Sequence, residues 1–109
     1  MSNLEVVAII SPAPGKADRV EELLVKVAKH VHESEPETYK YHLHKEIDKE
    51  EPEFVMIESY KNKQSLKSHQ GSDAFQGLVK QITEESLLAK PLAVYMLKVA
   101  GGFEKRSKI

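Results

Sequence analysis

Histidines and carboxylates are the groups here that can move a proton near neutral pH, because the chain has no cysteine to supply a thiolate. His69 lies on a short polar segment that follows an apolar strand carrying Glu58. A carboxylate that orients an imidazole fixes its tautomer and keeps the other ring nitrogen basic, which is what a general base requires. The structural alternative is a capping or packing histidine beside a glutamate bonded to backbone at a strand end. Tyr60 and Phe75 flank this pair, and Tyr41 and Met56 are further candidates for the walls of a substrate pocket. Each of these four also suits an ordinary hydrophobic core.

The remaining histidines offer less. His42 and His44, with Glu46, share one strand face at a spacing that can converge on a metal, but Lys40 lies on that face too. A solvated, mixed-charge face accounts for them, and no metal site is expected. His30 and His32 diverge by about 200° on a helix and cannot form one site. The His32-Glu33 pair lacks the second histidine of a zinc-protease helix. No glycine-rich phosphate loop and no serine nucleophile elbow is present.

The elements that must position these residues follow from periodicity. Residues 4–11 are apolar and β-branched, and the Pro12-Ala13-Pro14-Gly15 stretch ends them, so they read as a buried strand and loop. From Lys16 the period becomes helical, with Val20, Leu23, Leu24, Val27, Ala28 and Val31 on one side as far as about Ser34. Residues 38–47 alternate, placing Tyr39, Tyr41, Leu43 and Ile47 on one face. Residues 53–60 form the next strand, with Phe54, Met56, Glu58 and Tyr60 together. Asn62 caps a short helix carrying His69, and Gly71 separates it from a helix that starts near Ser72 or Asp73. That second helix presents Phe75, Leu78, Val79 and Ile82, and residues 91–100 form a last strand.

Strand, helix, strand, strand, helix, strand is the order of a ferredoxin-like α+β domain, an antiparallel sheet with helices on one face. One domain over residues 1–103 and a basic tail over 104–109 account for all 109 residues. The first and last strands are apolar on both faces, which implies a sheet covered on both sides. No sequence is left for a second layer, so a homodimer is expected. Sixteen Lys and Arg against seventeen Asp and Glu leave no basic surplus for nucleic acid. The longest apolar run, residues 6–10, is far short of the ~20 residues that cross a bilayer, and the first residues lack the pattern of a secretory signal. A cytoplasmic location is expected. The alternative is the peroxisome, since Ser107-Lys108-Ile109 resembles the Ser-Lys-Leu import signal.

Two ordered segments resemble the antibiotic biosynthesis monooxygenase family. One is Glu35-Pro36-Glu37-Thr38-Tyr39-Lys40-Tyr41-His42-Leu43-His44. The other is Pro52-Glu53-Phe54-Val55-Met56-Ile57-Glu58-Ser59-Tyr60, followed by Leu66, His69, Ser72 and Phe75. The resemblance runs from Leu4 to about Val99. It implies a dimeric α+β barrel with a pocket between sheet and helices in each subunit. Some members oxygenate phenols or quinols with dioxygen and no metal or flavin, and others degrade haem or isomerise small metabolites. The chain has no tryptophan, which departs from the Asn/Trp/His set of the haem-degrading branch. Tyr60 also stands where many relatives carry Trp. The resemblance therefore implies a cofactor-independent monooxygenase of a small phenolic or quinol substrate, with His69 and Glu58 as catalytic residues. The alternatives are a non-catalytic dimer that binds a small hydrophobic metabolite and a cofactor-free isomerase.

Overall fold

A computed structural model describes residues 3–107. Strand β1 (Leu4–Ile10) leads through a turn into helix α1 (Ala17–Ser34), and the hairpin of β2 (Thr38–Lys45) and β3 (Phe54–Tyr60) follows. Helices α2 (Lys63–Gln70) and α3 (Asp73–Glu84) precede β4 (Ala93–Leu97). The sheet order is β2-β3-β1-β4 with every neighbouring pair antiparallel. This is the ferredoxin-like α+β fold, its second helical connection broken in two.

Helix α1 forms because its aliphatic residues recur every three or four positions, and Val20, Leu23, Leu24, Val27 and Val31 are the ones it buries. They pack on Ala8 and Ile10 of β1 and Phe54 and Met56 of β3. The N–H of Glu35 donates to Val31 O at 2.9 Å, and Pro36 prevents another turn. At the other end of α1, Arg19 grips the carboxylate of Glu85, just beyond α3, with bonds of 2.9 and 2.8 Å.

The break between α2 and α3 is set by side-chain caps. Asn62 Oδ1 accepts the Ser65 N–H at 2.9 Å, and Ser72 Oγ accepts the Phe75 N–H at 3.2 Å. Gly71 closes α2 with its N–H on Lys67 O at 2.9 Å. The short α2 is thereby held with His69 facing inward, buried to 3% exposure.

The inner face of β3 carries Phe54, Met56, Glu58 and Tyr60, all buried, as the alternation requires. In β2 the alternation is interrupted. Thr38 lies opposite Tyr60 and Tyr41 opposite Glu58, with both Tyr39 and Lys40 fitted against Ser59. This bulge turns Tyr39 outward, to 53% exposure, where strict alternation places it with Tyr41. Ile47 is likewise exposed, at 83%, because β2 ends at Lys45 and the chain turns through Asp48 at φ 59°. The last strand covers Ala93–Leu97, shorter than the expected 91–100. Val79, expected on the buried side of α3, is exposed, while Leu78 carries the burial.

The outer sheet face carries an apolar patch across β3, β1 and β4, beside Lys40, His42 and His44 of β2. Val7, Ile9, Val55 and Ile57 are half-buried there, and Tyr95 and Leu97 are exposed. Among the described residues no helix is long and apolar enough to cross a membrane. The reading of the C-terminal tripeptide falls on Lys108 and Ile109, outside the described residues.

Phe54 is fully buried where α1 meets the sheet. Phe54→Ala should therefore cost about 3–5 kcal/mol in urea unfolding, and Val25→Ala on the exposed side of α1 no more than about 0.5. Similar losses at the two positions would contradict this placement of the core.

Candidate active site

His69 sits under a cage of rings. Tyr41 of β2, Tyr60 of β3 and Phe75 of α3 lie with ring centroids 5.1, 5.6 and 5.2 Å from the imidazole. The first two strands of the hairpin supply the tyrosines from adjacent inward positions, and the Ser72 cap sets the start of α3 so that Phe75 closes the third side.

The carboxylate bonded to His69 is Glu35. Nδ1 lies 2.9 Å from Oε1 and 3.2 Å from Oε2 of that residue. Thr38 Oγ1 donates to the same Oε1 at 2.9 Å. Glu58, expected to orient the imidazole, instead accepts the Tyr60 hydroxyl. The reason is the strand geometry: Glu58 and Tyr60 are two apart on one face of β3, so their tips meet, while the end of α1 delivers Glu35 to Nδ1. Sequence reasoning missed Glu35 and Thr38. The signal available was the Glu35-Pro36-Glu37-Thr38 turn, in which a carboxylate at a helix end is followed by a strand leading to Tyr41.

Glu58 and His69 nevertheless share a cavity. It lies between sheet and helices, has a volume of about 40 Å³, and is lined also by Tyr41, Met56 and Phe75. Tyr60 contributes its ring against His69 and its hydroxyl to Glu58. The walls are otherwise aliphatic, including Val6, Ala8 and Leu66. An adjoining apolar groove of about 210 Å³ runs between α3 and the approach to β4, sharing Phe75, Leu78 and Leu92 with the cavity. A volume of about 40 Å³ has room for a dioxygen or a water molecule.

Burial sets the protonation states. It pushes Glu58 up to about 7, against the pull of the Tyr60 hydrogen bond and with the Glu35 charge adding to the rise. It holds His69 below its ordinary value, outweighing the attraction of Glu35. Tyr41 is raised, first by burial and then by the charges of Glu58 and Glu35. Near neutral pH the imidazole is uncharged. A carboxylate can only accept, so Nδ1 carries the proton and Nε2 is left with its lone pair. A neutral base and a carboxyl group held half-protonated therefore line one largely apolar cavity.

His42 and His44 lie on the outer face, opposite Ile57 and Val55, with ring centroids 4.6 Å apart. His44 donates from Nδ1 to its neighbour's carbonyl, His42 O, at 3.0 Å. Among the described residues no group of three or more His, Cys, Asp or Glu is placed to hold a metal ion.

The raised Glu58 value gives a pH signature. The folded chain keeps this proton up to about pH 7, whereas the unfolded chain releases it near the ordinary value of 4.5. Its contribution is full below that ordinary value and is lost as pH rises through the folded value, by up to about 3 kcal/mol. His69 acts in the opposite sense, losing stability as pH falls. Glu58→Gln should flatten the decline of unfolding free energy between about pH 5 and pH 8. Superimposable pH curves for the two proteins would contradict the assignment.

A family model of antibiotic biosynthesis monooxygenases matches residues 4–81. No curated protein matches significantly by sequence. Among solved structures, Rv0793 from Mycobacterium tuberculosis is 26% identical with a TM-score of 0.80, covering 94% of this chain and 100% of that one. PA3566 from Pseudomonas aeruginosa is 25% identical with a TM-score of 0.81, covering 93% and 97%. A further structure, of an antibiotic biosynthesis monooxygenase, is 22% identical with a TM-score of 0.78 over 90% and 99%, and shows the fold alone. The element order, the site between sheet and helices and the family match agree: the chain belongs to the antibiotic biosynthesis monooxygenase family.

Proposed function

We propose that this protein is a cofactor-independent monooxygenase of a small phenol or quinol, using dioxygen, and that it works as a homodimer. The observation that carries the reading is a neutral His69, held by Glu35 with Nε2 unbonded, on the wall of an apolar cavity. A base there takes the hydroxyl proton of a phenol. The resulting anion is electron-rich enough to pass one electron to dioxygen, and the dry walls keep the two radicals together. Their recombination forms a carbon–oxygen bond to a peroxide. Breakage of the O–O bond leaves one oxygen on the ring and releases the other as water, so phenol and dioxygen become quinone and water. The substrate supplies all four electrons. His69 returns its proton to the peroxide, and Glu58, half-protonated near pH 7, is a second donor on the same cavity. Tyr41, Tyr60, Phe75 and Met56 hold the ring.

The dimer follows from the bare outer face. Val7, Ile9, Val55, Ile57, Tyr95 and Leu97 form an apolar layer on a sheet whose other side already carries the helices. A second copy of the same sheet covers it by face-to-face packing at about 10 Å. Light scattering should give about twice the chain mass of 12.3 kDa. A monomer at micromolar concentration would overturn this part.

Oxygen uptake on a panel of phenols and hydroquinones tests the chemistry. His69→Ala should lower turnover by about 10²–10⁴-fold with fold and dimer intact. A folded variant with wild-type uptake removes His69 from the mechanism. The acid and base on one cavity also suit a proton-transfer isomerase, which would incorporate solvent deuterium into substrate while consuming no oxygen.

A further inference from the structure

His69 is a partition between two cavities lined by different kinds of side chain. On one side is the apolar cavity with Glu58. On the other is a polar cavity of about 400 Å³ at the junction of α1, β2 and α2, lined by Glu35, Ser34, Thr38, Ser65 and Ser68 among others. His69 is the one described residue that borders both. Ser34, Glu37 and Ser68 on the polar side are exposed, so that side is wet. Glu35 borders only the polar cavity, and its carboxylate is the partner of Nδ1.

Glu35 is fixed from several directions. Its N–H is tied to Val31 O at 2.9 Å, its carbonyl accepts the Thr38 N–H at 3.0 Å, and its Oε1 accepts the Thr38 hydroxyl at 2.9 Å. A carboxylate so restrained presents its oxygens to Nδ1 in one orientation.

We propose that Glu35 is the positioning residue of His69, and that the polar cavity is the site's proton port. The inference rests on the reading of His69 as the base. When Nε2 takes a proton, the substrate O–H bond breaks and an N–H bond forms on the dry side. The Nδ1 proton then passes to Glu35 and from Glu35 to water in the polar cavity. The reverse movement resupplies Nδ1 when Nε2 gives its proton up, so nothing is gained or lost over a cycle. Proton traffic reaches solvent without admitting water to the apolar cavity, where it would compete with the oxygen chemistry.

The titratable groups around His69 are Glu35 at the end of α1, Tyr41 of β2, and Glu58 and Tyr60 of β3. His30 and Glu37 border the polar cavity. Imidazole ¹⁵N NMR separates Glu35 from the rest and needs no substrate, so it decides this inference even where no phenol is turned over. The full-length wild-type dimer should show the Nδ1–H tautomer of His69 at neutral pH. Glu35→Gln keeps an acceptor but removes the charge. It should lower the His69 titration point by about one pH unit or more and preserve the tautomer. It should also slow exchange of the Nδ1 proton with water by about tenfold or more, since an amide cannot relay a proton. The neighbouring groups Glu58, Glu37 and His30 are untouched in that variant. An Nε2–H tautomer in the wild type overturns the positioning role by itself, whether or not the variant folds. An unchanged titration point does the same, and unchanged exchange in a folded Glu35→Gln protein overturns the port.

Discussion

The aliphatic stripe of α1 presses on the two central strands, and most of the architecture hangs from that contact. β1 and β3 are the middle of the sheet, and their inward residues Ala8, Ile10, Phe54 and Met56 meet Leu23, Leu24 and Val27 directly. Because α1 is pinned there, its C-terminal end is pinned too, and Glu35 falls beside α2. The same stripe leaves the end of the sheet around Glu58 to be covered by the shorter α2 and α3. Glu58 and His69 are buried there.

Buried polar groups are costly unless paired, and each one here is paired. Ser11 donates to Glu53, Ser65 to Glu37, Ser59 to Glu5, and Tyr60 to Glu58. Among the described residues no sealed side-chain nitrogen or oxygen lacks a partner. Of these groups Glu58 differs from the rest, because its single donor does not offset its burial and it stays near the point of titration. With one donor to set against its burial, it keeps its proton up to about pH 7.

The elements were legible because local periodicity dictates them. The stripe of α1, the inward set of β3 and both caps, Asn62 and Ser72, follow from nearest-neighbour chemistry, and all are present. The partner of His69 was not legible. Glu35 and His69 are far apart in the chain, and only the packing of α2 on the β2–β3 hairpin decides which carboxylate arrives. Glu58 was the nearer choice by position, and its side chain does reach the same cavity, but Tyr60 claims the carboxylate. Tyr39 failed for a similar reason. Alternation is a rule about undisturbed strands, and nothing in the residue types of β2 marks the place where one extra residue enters. Val94, Tyr95, Met96 and Leu97 on β4 are exposed because β4 is an edge strand, paired with β1 alone.

That extra residue in β2 does more than displace one tyrosine. Thr38 and Tyr41 are three apart, a spacing that puts them on opposite faces of a regular strand. With the bulge at Tyr39 and Lys40, both turn inward, one to Glu35 and the other to His69. The bulge thus lets the segment carry one residue more than regular pairing needs without displacing the hydrogen bond to the carboxylate or the ring beside the imidazole. Substitution at Tyr39 leaves that arrangement standing, because its side chain is outside. Loss of the residue would leave Lys40 alone against Ser59, so the strand would close into regular alternation with Thr38 and Tyr41 still facing inward. The site therefore tolerates both substitution and loss at position 39, whereas a residue lost between Tyr41 and Lys45 would turn the inward set outward, an asymmetry that divergence within such a strand would have to respect.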